Sequence, residues 1–170
     1  VALAPLVAYS ILAPKGWRLF LVAWLAGWGH YTLAFQWLGE AAPSAPYLLS
    51  IYKGFYFALF ALFTRILARR MPLALAATGT WLALEYVRSH LFTGLPWFLL
   101  GYTQHEFLAL IQVSDLLGVW LVSAIVALVS MVGAIVMRDY GVAAGVAAAA
   151  AAGAGVGLAN GIVITRFKVF

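Results

Sequence analysis

The chain has 170 residues, of which 66% are apolar and only 9% charged, too little polar surface to coat a water-soluble core, so its solvent is lipid. The net charge of +5 is scattered through short links between apolar runs, which argues against a nucleic-acid-binding face. Cysteine is absent, which excludes disulfides, thiolate metal sites and thiol nucleophiles within these residues.

Runs of roughly 20 apolar residues, enough as helix to cross ~30 Å of hydrocarbon, predict an all-α, polytopic transmembrane helix bundle. "VSAIVALVSMVGAIVM" is apolar at nearly every position, unlike the period-two alternation of a β-barrel strand. The opening "VALAPLVAYSILAP" is too short to span before Pro14, Lys15 and Gly16 interrupt it. It reads as a partial helix whose beginning lies upstream, since a signal peptide would carry a basic start. Five full spans follow, at 17–38, 47–68, 73–91, 107–137 and 141–164. Their links are rich in Pro, Gly or charge. The last span places Gly141, Gly145, Ala149, Gly153, Gly157 and Gly161 four residues apart, a ridge suited to close helix packing.

Lys15 and Arg18, then Arg65, Arg69 and Arg70, then Arg138 occupy alternate loops. The positive-inside rule puts those loops in the cytoplasm, and the links at 39–46 and 92–105 and the C-terminus outside. Arg166 and Lys168 are the contrary charges.

Counting 1.5 Å per residue from the expected helix ends places His30, Lys53, Glu85, Arg88 and Asp115 roughly 5–12 Å below the outward face. An ionisable residue in hydrocarbon costs ~2.5–3.5 kcal/mol, so such residues turn inward and pair. Glu85 and Arg88, three apart, can pair on one helix face; Lys53 and Asp115 can compensate each other across helices. The plain alternative is interhelical ion-pair glue, and for His30 alone a packing role.

Polar chemistry concentrates in "EYVRSHLFTGLPWFLLGYTQHE", residues 85–106. Gly94 and Pro96 end any regular helix there. Trp97 and Tyr102 suit the headgroup zone, with an apolar body and a wet tip, while Thr93 and Gln104 add donors and acceptors. The segment reads as an interfacial or re-entrant loop forming a pocket with an aromatic rim above the polar layer. An ordinary aromatic-belt loop is the plainer alternative.

"LEYVRSHLFTGLPWFLLGYTQ" followed by "LIQVSDLLGVW" resembles the membrane-domain signature of the bacterial apolipoprotein N-acyltransferase family. Matching elements are Glu85, Arg88, the Thr93-Gly94-x-Pro96-Trp97 turn, Gly101-Tyr102-x-Gln104 and Gly118. "WLAGWGHYTLAFQWLGE" is similar, more loosely, to the family's Gly-rich second motif, ending in Phe35 and Trp37. The resemblance covers most of residues 17–137. It implies an inner-membrane enzyme that moves an acyl chain from a phospholipid donor to the amine of a diacylglyceryl-cysteine on a lipoprotein acceptor. A periplasmic nitrilase-like domain with a Glu–Lys–Cys triad would make the bonds. This chain departs from that pattern in having no Cys. The expected organisation is a transmembrane domain over 1–165 and, from 166 to 170, the start of a linker to that domain.

On this reading no catalytic residue, cofactor or metal ligand lies in the chain, and the 170 residues alone are inactive. Its partners are membrane lipids and the two lipid substrates, with no nucleic acid. Substrate-handling residues are Glu85, Arg88, Thr93, Gly94, Pro96, Trp97, Tyr102 and Gln104. The alternatives are a small multi-pass transporter or channel subunit, against which stand the off-centre charge layer and the lack of an internal repeat, and a non-catalytic membrane scaffold.

Overall fold

Helix is the only regular structure among the described residues, as a chain that must satisfy its backbone hydrogen bonds within lipid requires. The computed structural model describes residues 3–13 and 15–167, without the side chains at 93, 108, 109, 160, 163, 164 and 167. Helices α1 (Ala4–Leu12), α2 (Gly16–Ala34) and α3 (Ala45–Leu67) are followed by α4 (Leu73–His90). Short 3-10 turns at Leu91–Thr93 and Leu100–Gln104 lead to the short α5 (Leu108–Ile111) and α6 (Ser114–Leu117), then to α7 (Val119–Tyr140) and α8 (Val142–Phe167). The linker expected from residue 166 lies outside the described residues beyond 167.

Three helical stretches are long and apolar enough to cross a membrane: Ala45–Leu67, Val119–Tyr140 and Val142–Ala159. Of the other two expected spans, α2 is 19 residues long and diluted by glycine, His30 and Tyr31. Helix α4 has 18 residues and carries Glu85, Arg88 and His90. The expected span 107–137 is instead broken into α5, α6 and α7. Gly118 sits at φ 65°, ψ −163°, a conformation open to glycine and closed to a continuing helix. Some 31 consecutive residues is also well beyond what one crossing needs.

The chain divides into two compact units, one of them Leu6–Pro72 and the other formed by the residues before Leu6 together with the chain from Leu73 onward. In the first, α2 and α3 pack along a glycine contact. A Cβ on Gly27 would lie 3.0 Å from the Gly54 Cα, and one on Gly54 would lie 2.9 Å from the Trp24 carbonyl oxygen. Neither position has room for a side chain, so the two backbones can come together. The Trp24 indole donates to the Ile51 carbonyl at 3.2 Å. Ala13, Leu19, Ala23, Ala58 and Ala61 are buried beneath Phe20, Trp24 and Leu62.

In the second unit α7 and α8 form an antiparallel hairpin through Gly141, whose φ of 89° permits the reversal. Gly133 on α7 faces Gly145 and Ala149 on α8, and a Cβ on Gly145 would lie 2.7 Å from the Gly133 carbonyl oxygen. The four-residue ridge therefore serves two neighbours. Its first half packs on α7, while Gly157 lies against the Phe107 ring and Gly161 faces open space. Helix α4 meets α7 through Tyr86 and Trp120, whose rings are 5.7 Å apart.

Candidate functional site

A carboxylate spaced three residues from a guanidinium on one helix face meets it directly, and α4 places both at 1% exposure. Arg88 Nη2 lies 3.2 Å from Glu85 Oε1. The same oxygen accepts the Trp81 indole N–H at 2.9 Å and the Leu100 backbone N–H at 2.6 Å. Arg88 Nη2 also donates to the Phe98 carbonyl at 2.8 Å, and its guanidinium lies 5.8 Å from the centre of the Trp81 ring. The pair is thus not a bare ion pair. Three donors, one of them charged, converge on one carboxylate oxygen, which offsets part of the desolvation that burying a charge costs.

Those contacts tie down the segment after α4. The Leu95 N–H donates to the Arg88 carbonyl at 3.0 Å, Arg88 holds Phe98, Glu85 holds Leu100, and the Gly101 N–H donates to Ser123 Oγ on α7 at 2.8 Å. Four consecutive anchors fix seven residues. Gly94 opens the turn at φ 79°, where a Cβ would overlap the Ser89 carbonyl oxygen. Phe92 and Phe98 adopt φ of 52° and 59°, left-handed conformations that cost on the order of 1–3 kcal/mol each for a non-glycine residue. The buried Glu85–Arg88 network is what holds the second of them. Leu99 turns inward and is buried, while Trp97, Phe98 and Tyr102 stay 41–50% exposed. The result is a rigid loop with an aromatic rim.

Of the other residues singled out in the sequence, Pro96 is exposed and Gln104 half-buried, its amide donating to Thr103 Oγ1 at 2.9 Å. Thr93 belongs to the 3-10 turn, and its side chain lies outside the described residues. The three remaining residues of the expected polar layer stand in different surroundings. Lys53 is fully buried, its ammonium 5.7 Å from the Tyr31 ring centre. His30 is exposed beside Phe57 and Tyr31, at 5.6 and 5.1 Å between ring centres. Asp115 is exposed too, because the break at Gly118 puts it on the short α6 rather than inside a long span. Lys53 and Asp115 also belong to different units.

Two contributors were not read from the sequence. Trp81 stands one turn before Glu85, a spacing that does announce it. Ser123 gives no such signal, being one serine in an apolar run.

The family model described as "Apolipoprotein N-acyltransferase N-terminal domain" matches residues 1–132. The chain is similar to apolipoprotein N-acyltransferase of Geobacter metallireducens, 30% identical over 82% of this chain and 29% of the relative. To that of Rhodopirellula baltica it is 33% identical over 77% of this chain and 25% of the relative. The Azotobacter vinelandii protein is 39% identical over 66% of this chain and 24% of the relative. The chain thus spans between a quarter and three tenths of the length of the first two. No solved structure matches it significantly. The buried Glu85–Arg88 pair and the turn it anchors lie inside the matched region, and the chain belongs to the apolipoprotein N-acyltransferase N-terminal domain family.

Proposed function

We propose that these residues form the membrane part of an apolipoprotein N-acyltransferase, presenting lipid substrates to a bond-making site built from residues elsewhere. The overall reaction transfers an acyl chain from a phospholipid ester to the α-amino group of a diacylglyceryl-cysteine, leaving an amide and a lysophospholipid. Without a cysteine, the 170 residues cannot supply a thiol nucleophile, and alone they are inactive. All five long segments cross the bacterial inner membrane, with the 92–105 loop and the C-terminus on the periplasmic side, as the distribution of Lys and Arg favours.

The observation that carries this reading is the loop itself. It is fixed by buried polar bonds yet keeps Trp97 and Tyr102 exposed, an arrangement suited to gripping the headgroup end of a lipid. Glu85 and Arg88 then act on substrate through the loop, as positioning residues, because their own side chains are buried. Pro96, Gly94, Thr93 and Gln104 shape the same surface.

The test is the complete natural protein in phospholipid vesicles with a synthetic diacylglyceryl-cysteine peptide. The expected product is a peptide heavier by one amide-linked acyl chain. A folded protein that leaves the peptide mass unchanged contradicts the proposal.

A further inference from the structure

The exposed rings Trp97 and Tyr102 are held in place by different helices. Trp97 precedes Phe98, whose carbonyl accepts the Arg88 guanidinium of α4 at 2.8 Å. Tyr102 follows Gly101, whose N–H donates to the Ser123 hydroxyl of α7 at 2.8 Å. We propose that Ser123 is a positioning residue, one that sets where Tyr102 stands relative to Trp97 and acts on substrate only through that ring. This rests on the loop being the surface that grips lipid.

The 3-10 turn Leu100–Gln104 lies directly on the first turn of α7. A Cβ on Gly101 would come within 2.8 Å of both the Val119 carbonyl oxygen and Val119 Cγ2, and 3.1 Å from Ser123 Oγ, so only a glycine lets the loop backbone reach the hydroxyl. Gly118, at φ 65° and ψ −163°, fixes where α7 begins and hence where Val119 and Ser123 meet the turn.

Anchoring by α4 ends, among the described residues, at Leu100, whose N–H donates to Glu85 at 2.6 Å. Beyond it the bonds stay within the loop. The Tyr102 N–H donates to the Leu99 carbonyl at 3.0 Å, and the Thr103 hydroxyl to the Leu100 carbonyl at 2.7 Å. The Gly101–Ser123 bond therefore ties the Tyr102 side of the turn to a helix. Ser123 is fully buried and cannot meet lipid itself. Burying a hydroxyl in apolar surroundings costs free energy that a specific partner must offset, and here that partner is the loop.

The test is acyl transfer by the complete natural protein in phospholipid vesicles to a diacylglyceryl-cysteine peptide, followed over a range of phospholipid concentrations. Ser123→Ala, with an unfolding midpoint near wild type, should raise the phospholipid KM about fivefold with little change in kcat, the worth of one ordinary net hydrogen bond. In a Tyr102→Ala background the same change should add less than about twofold, because the ring through which it acts is gone. In a Trp97→Ala background it should again add about fivefold. Ser130→Ala, on the same helix with its hydroxyl bonded back to the Val126 carbonyl, should leave KM unchanged. Gly101→Ala lifts the turn off α7 from the loop side and carries the same expectation as Ser123→Ala should that variant not fold. Equal effects of Ser123→Ala in the two aromatic backgrounds, or the same rise in Ser130→Ala, overturn the proposal. So does a fall in kcat and midpoint with KM unchanged. A wild-type KM in Ser123→Ala where Tyr102→Ala raises KM overturns this proposal alone, whereas a wild-type KM in Tyr102→Ala overturns the reading of the loop and this proposal with it.

Discussion

At the scale of single residues, Glu85 is the hub. Its Oε1 accepts hydrogen bonds from the Trp81 indole N–H, the Arg88 guanidinium and the Leu100 backbone N–H, so removing its charge leaves Arg88 buried with a weaker partner. Breaking one side of a buried pair costs on the order of 3–5 kcal/mol. Glu85→Gln and Arg88→Gln should each lower the thermal unfolding midpoint in detergent. The double change should cost less than the sum, by roughly 0.5–3 kcal/mol of coupling. Additive losses would show that the two side chains act separately. Their pairing was legible from the i, i+3 spacing, but its purpose was not. A sequence reveals a neighbour one helical turn away, whereas the backbone N–H of Leu100, fifteen residues on, becomes a partner only after the chain has turned at Gly94.

At the scale of elements, the helices were readable wherever composition alone decides them. Helix α3 matches the apolar run that begins near Pro46, and α4 starts straight after Pro72. Reading failed between residues 107 and 118, where apolar content masked two short helices. Hydropathy carries no information on backbone dihedrals, and the left-handed Gly118 sets that boundary. Misplacing it also buried Asp115 on paper, since a residue counted along one continuous helix inherits a depth that the real chain does not give it. The α7–α8 contact was foreseeable from the small-residue ridge, although only part of the ridge faces α7. A valine at Gly145 would push its Cβ to 2.7 Å from the Gly133 carbonyl and 2.5 Å from the Met137 Cβ. Overpacking of that kind costs typically ~1–3 kcal/mol. Gly145→Val should therefore lower the midpoint of the hairpin-containing protein, while Gly155→Val, facing open space, should stay within about 0.5 kcal/mol of wild type. Equal losses would assign the effect to helix propensity instead of packing.

At the scale of the whole molecule, orientation rests on basic residues and can be read directly, because the chain contains no cysteine to confuse labelling. Ser44→Cys should react with an impermeant maleimide from outside intact cells and Arg70→Cys should not. The reverse pattern would invert the topology and turn the aromatic loop toward the cytoplasm. What the sequence conveyed best at this scale was the kind of solvent and the family. What it could not convey was the proposed division of labour within the polar stretch, in which buried charges position the loop and the exposed rings at its rim meet lipid. The measurement that tests this division is acyl transfer by the complete protein to a diacylglyceryl-cysteine peptide, followed over a range of phospholipid concentrations. Trp97→Ala and Tyr102→Ala, with unfolding midpoints near wild type, should raise the phospholipid KM about tenfold, the loss of roughly 1.4 kcal/mol of lipid contact. Wild-type rates at every phospholipid concentration in both folded variants would contradict the account and leave the loop a membrane anchor.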